Sequence, residues 1–152
     1  MKKFLLLALS LVLILCTVSC KQDSANVPYK LVINCQEIVE FMDDQNYGIK
    51  AEKKELVPSD GIILSIESYC SEGDNVYDRV VKNLKDKKLH FEGSDGYFSG
   101  IGNIYAGDCG AFSGWMFFVN DELAELGASD TIISANDTIE FRYIVDYNTL
   151  FN

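Results

Sequence analysis

The side chains of this 152-residue chain that could do chemistry are few and scattered. Cys35, Cys70 and Cys109 lie outside the N-terminal segment at spacings that match no zinc pattern, and His90 is the only histidine, so no metal site is expected. His90 stands in a strand-like segment without the acidic and nucleophilic neighbours of a relay, which predicts a surface or satisfied position. Ser113 precedes Gly114, but Ser-Gly-Trp is not a nucleophile elbow and no partners are placed for it. Glu72 with Asp74, and Asp43 with Asp44, read as solvated or capping carboxylates; neither stretch has the alternating oxygen ligands and closing glutamate of a calcium loop. Asn136-Asp137-Thr138, a glycosylation-like triplet, falls in a turn. No catalytic constellation emerges, so the chain is read as a non-enzyme.

Aromatic residues are the more informative set. The stretch CGAFSGWMFFVN, residues 109–120, is apolar on both faces of a strand: Trp115, Phe117 and Val119 point one way, Met116 and Phe118 the other. Either loops such as 36–57 cover the second face, or part of it stays open for a flat apolar ligand or a partner. Tyr97, Tyr105, Trp115, Phe117 and Tyr143 are the candidate ligand-binding residues, because amphipathic aromatics combine a large apolar area with a polar tip.

The elements that must position them follow from periodicity. Tyr29–Cys35 alternates as a half-buried strand, and Gly61–Tyr69 is a second, with Ile62, Leu64 and Ile66 on one face. Residues 36–60 form a long charged connection with one helical turn, ending in the turn Pro58-Ser59-Asp60-Gly61. A helix is predicted from Asn75 to Lys88: Asn75 caps it, Asp78 closes a capping box, Val76, Val80, Val81 and Leu84 make the apolar stripe, and lysines gather at its end. A strand around Leu89–Glu92, the glycine-punctuated segment 97–105, the aromatic strand within 109–120, a short strand at Thr131–Ser134 and a final strand at 138–145 complete the pattern. This order is α+β with an antiparallel or mixed sheet.

The first residues, MKKFLLLALSLVLILCTVSC, have the charged start, short apolar run and small-residue exit of an export signal. Thr17-Val18-Ser19-Cys20 resembles a bacterial lipobox, so residues 1–19 are expected to be removed, Cys20 lipidated and residues 20–28 to serve as a tether; an ordinary cleaved signal is the other reading. The protein is then exported and membrane-anchored through lipid. The formal net charge of −10 disfavours nucleic acid as a partner. An oxidising compartment makes Cys35, Cys70 and Cys109 disulfide candidates. In an antiparallel pair Cys35 and Cys70 would end opposite edges, too far apart to bridge at ~3.3 Å of rise per residue. Any pair would then involve Cys109.

The series LVPSDGIIL, SEGDNVYDRV, GIGNIYAGDCGAFSGWMFFVN, GASD and NDTIEFRY resembles the bacterial transcobalamin-like C-terminal domain family, a domain of unknown function found in surface lipoproteins. Ser113-Gly114-Trp115-Met116 followed by Val119-Asn120 is the most specific piece, and the likeness spans roughly 29–147 of the domain assigned to 29–152. It implies a β-grasp-like fold, a sheet around one central helix, related to the small domain that closes over the corrin ring in vertebrate cobalamin carriers. The chain departs from the family in having Asp121 where glycine is usual, Ala128 and Val145 where many members have cysteine, and Phe141 where many have tryptophan. The function implied is a non-catalytic binding module for a corrinoid, or another flat apolar ligand, with no cofactor required. The alternative is an adhesion or assembly component of the cell surface that binds another surface protein.

Overall fold

The computed structural model describes residues 26–151. The signal at 1–19, the lipidation residue Cys20 and most of the tether lie outside these residues. Strand β1 runs Asn26–Asn34, so it takes in the last three residues assigned to the tether.

A short helix, α1 (Gln36–Glu40), and a 3₁₀ helix (Ala51–Leu56) occupy the connection to β2 (Ile62–Ser71). Helix α2 (Val76–Asp86) follows, then β3 (Phe91–Ser94), β4 (Tyr97–Ile101), β5 (Ile104–Tyr105), β6 (Gly114–Val119), β7 (Glu122–Leu123), β8 (Asp137–Ile144) and a closing 3₁₀ helix, Tyr147–Phe151. The fold is α+β and sheet-dominated. Strands 2-1-8-6-7 form one five-stranded sheet and strands 3-4-5 a second of three. The large sheet is mixed: β1 and β8 run parallel at its centre, while β2 and β6 pair antiparallel on their outer sides.

Alternation decides which side of the large sheet is the core. Tyr29, Leu31 and Ile33 of β1, Ile139, Phe141 and Tyr143 of β8, and Trp115, Phe117 and Val119 of β6 share one face by register. Helix α2 packs on it through Val76, Val80 and Leu84, all fully buried. Its Asn83 ties it to the sheet, donating to Tyr29 Oη at 2.6 Å and accepting from Ser68 Oγ at 3.2 Å. The predicted cap is present: Asn75 Oδ1 accepts from Asp78 N at 2.8 Å and Asn75 Nδ2 donates back to the Asp78 carboxylate. The helix shares this task with the small sheet, whose Phe98, Ile101 and Ile104 are also buried in the core. That sharing was not foreseen: the sequence reading placed one helix alone against the sheet.

Two further expectations change. Thr131–Ser134 is not a strand; a single bridge joins Ile132 to Asn75. The segment 97–105 is two strands folded at Gly102-Asn103, where both residues have positive φ. Asp95-Gly96 and Asn120-Asp121 form two-residue turns of the same kind, the geometry whose twist matches antiparallel hairpins. Among the described residues no helix is long and apolar enough to cross a membrane.

Candidate functional site

The candidate aromatics do not gather in one place. Tyr143 is buried, and its hydroxyl is a structural junction: it accepts from Asp108 N at 3.1 Å, donates to Tyr105 O at 2.8 Å and lies 2.9 Å from Ser113 Oγ. Burial pushes its pKa up, so it stays a neutral phenol. Ser113 is consumed in the same junction, donating to Gly110 O at 2.8 Å. Tyr105 lies on the small sheet, its ring 4.4 Å from Lys53 Nζ and its hydroxyl bonded to Glu92 at 3.0 Å. The bond to Glu92 raises its pKa, because ionisation would set two anions side by side. His90 Nε2 is 3.1 Å from this hydroxyl and 3.4 Å from Glu92. The sequence reading missed this cluster of exposed His90 and Glu92 with half-buried Tyr105, since only the β3–β4–β5 pairing brings them together.

Trp115 is a core residue. It is 3% exposed, donates its indole N–H to Ile104 O at 2.9 Å and meets the Tyr143 ring edge-on at 5.3 Å. This bond joins the two sheets. Phe117 stacks on Phe141 at 5.5 Å, and Phe98 meets Phe141 edge-on at 5.1 Å.

The opposite face of β6 explains why the stretch is apolar on both sides. Phe118 is 5% exposed although it faces outward, because the Arg142 guanidinium lies 4.2 Å above its ring. Arg142 is held there by Glu140 at 2.6 Å and by Asp121. Burial opposes its charge, but these carboxylates outweigh burial and raise its pKa. The far side of the sheet is therefore polar, with Lys30, Glu67, Thr138, Glu140 and Arg142 across it, and is not the bare apolar surface expected of the open-face reading. Asp121 accepts a positive φ of 72° and supplies one of the two clamps.

An apolar hollow lies instead at the rim. Strand β7 pairs only with Phe118 and Val119, so the edge of β6 from Trp115 to Phe117 has no full strand beside it. The segment 123–128 and the β3–β4 turn wall this gap into a groove of about 400 Å³, lined chiefly by Tyr97, Phe98, Phe117, Leu123, Leu126 and Phe141. Tyr97 is 53% exposed and Leu126 62%. Of the five candidate aromatics, Tyr97, Trp115 and Phe117 line this groove; Tyr105 and Tyr143 do not. Leu126 had no sequence signal beyond its type. Gly96 sets the wall: its φ is +84°, and a Cβ there would come within 2.9 Å of Ser129 N.

Cys35, Cys70 and Cys109, the disulfide candidates, are all buried and stand as free thiols in the structure. In the β1–β2 register Cys70 lies opposite Val27, at the other end of the pair from Cys35. Burial raises the Cys35 thiol to about 12 and Cys109 to about 11, and it also pushes Cys70 up. All three are therefore held in the thiol form at neutral pH. Asp108 is likewise structural. Burial alone would raise its pKa, but Lys53 at 2.7 Å, Tyr105 N at 2.7 Å and Lys50 at 3.1 Å outweigh it and lower it.

Comparison with known proteins gives a family match and a fold match. Residues 73–144 match the model of a family described as "Domain of unknown function (DUF4430)". A search of the curated proteins finds no match. Haptocorrin in complex with Cbi superposes at a TM-score of 0.52 with 12% identity, covering 84% of this chain and 28% of the haptocorrin chain. This chain thus spans well under a third of that protein's length. A proposed metal binding protein from Ruminococcus gnavus ATCC 29149 aligns at a TM-score of 0.43 and 12% identity, covering 78% of this chain and 96% of its own. The segment matched by the family model and the likeness in fold to part of haptocorrin are consistent with the resemblance to the transcobalamin-like domain family read from the sequence.

Proposed function

We propose that the chain is an exported lipoprotein, anchored through Cys20, whose β-grasp-like domain binds a small apolar ligand without catalysing a reaction on it. The observation that carries this reading is the rim groove of about 400 Å³, lined by exposed Tyr97 and Leu126 together with half-buried Phe117. That volume lies in the range of about 300–1,000 Å³ usual for ligand pockets. A corrinoid is the ligand class best supported, because the fold resembles part of haptocorrin, itself solved with Cbi. A domain that matches only a fraction of the haptocorrin chain would grip only part of so large a ligand. Affinity is then modest unless a partner completes the site.

Titrating cobalamin into the domain while following the fluorescence of its single tryptophan tests this, because Trp115 lines the groove. The control is Tyr97→Ala with Leu126→Ala, both at exposed positions, so the fold is retained. Saturable quenching that the double variant weakens at least tenfold is the expected result. No saturable response, or one that the variant leaves unchanged, rejects the corrinoid reading. Capture of another surface protein through Leu126 would then favour the interaction component.

A further inference from the structure

We infer that the groove selects its occupant by charge, taking an apolar body that carries a positive charge and disfavouring an anion. The inference rests on the ligand-binding reading above and specifies its chemistry. The charged residues lining the groove are Asp95 and Glu125, both acidic. An adjoining hollow shares the wall from Leu123 to Leu126 and adds Glu122, again without a lysine, arginine or histidine.

These carboxylates are exposed, and among the described residues none of them meets a cation, although pairing is common elsewhere on this surface. Asp43 meets Lys54, Asp74 meets Arg79, Asp86 meets Lys82, and Asp121 meets Arg142. No lysine, arginine or histidine lines either hollow, so the carboxylates at the groove mouth have no cation among the lining residues to offset them. Tyr97 adds an exposed aromatic ring at the same place, and a ring face attracts a cation and repels an anion. Apolar walls supply the affinity, while the two carboxylates and the ring set the sign of the charge.

The test uses three fluorescent probes with one aromatic frame: 1-pyrenemethylamine, cationic at neutral pH, neutral 1-pyrenemethanol and anionic 1-pyrenecarboxylate. Binding is read by anisotropy at low salt. The expected order is cation, neutral, anion, with each carboxylate contributing about two- to fivefold and the extremes separated by roughly tenfold or more. Asp95→Asn with Glu125→Gln should shrink the cation-to-anion gap by about fivefold or more, changing 1-pyrenemethanol binding far less than that of either charged probe.

Glu52→Gln with Glu55→Gln is the matched control for net charge. These residues sit on the 3₁₀ helix whose Lys53 reaches Asn103 O, at the far end of β4 from Asp95. That variant should keep the order. If the neutral probe binds but the order is flat, or survives in Asp95→Asn with Glu125→Gln, charge selection is overturned and the groove stands. If no probe binds, the groove reading itself falls.

Discussion

Replacing Trp115 separates a structural indole from a ligand-binding one. Its side chain is almost wholly inside, and a buried tryptophan removes about 200 Å² from water, which at about 25 cal/mol per Å² is worth about 5 kcal/mol. Measured tryptophan-to-alanine changes in cores cost about 3–5 kcal/mol, and the loss of the N–H leaves Ile104 O without its side-chain donor, adding about 1 kcal/mol. Trp115→Ala should therefore lose about 4–6 kcal/mol, much of the stability of an ordinary domain, and melt about 15–25 °C lower. Trp115→Phe keeps a ring but not the donor and should lose about 1–3 kcal/mol. Far-ultraviolet circular dichroism is the assay, because the variants carry no other tryptophan. A Trp115→Ala domain that melts within about 5 °C of the parent would refute the reasoning and return the indole to the list of ligand contacts. It follows that loss of binding in Trp115→Ala would say nothing about the groove, which is why Tyr97 and Leu126 carry the functional test.

Two more perturbations probe what holds the groove's neighbours in place. Asp108→Ala strands the Tyr105 N–H and releases Lys50 and Lys53, and should cost about 2–4 kcal/mol at neutral pH by urea denaturation. Because the folded state lowers the Asp108 pKa, its contribution is full above the unfolded value, near 3.8, and is lost as pH falls through the folded one. The gap between parent and variant should narrow in acid below that value, and a gap independent of pH would refute the ion-pair account. Arg142→Ala uncovers Phe118 and should cost about 1–2 kcal/mol while raising binding of a hydrophobic dye, with Arg142→Lys restoring only part because an ammonium lacks the planar stacking surface. Unchanged dye binding in Arg142→Ala would show that the guanidinium does not seal that ring.

What the sequence disclosed, and what it hid, divides along a physical line. Helix α2 was legible down to its cap because the signals are local: Asn75, Asp78 and a stripe repeating every three to four residues. The strands at 29–34, 62–69 and 138–144 were legible for the same reason, since alternation needs no partner to be seen. Hidden was everything that depends on which strand lies beside which. Phe118 reads as an apolar residue on the second face of β6; only the β6–β8 register, which sets Met116 opposite Arg142, reveals that a cation one pair away roofs it. Tyr143 and Trp115 have the composition of ligand contacts and the geometry of rivets, because amphipathic aromatics serve a buried junction between two sheets as well as they serve a binding surface. Exposure, not residue type, separates the two uses. It moves the site from the sheet face to the rim, where a two-residue β7 stops short and leaves Phe117, with Tyr97 and Leu126 across from it, on an edge that the rest of the core does not cover. At this rim apolar side chains and open space coincide, and the acidic Asp95 and Glu125 beside them are the residues on which the proposed choice of ligand charge turns.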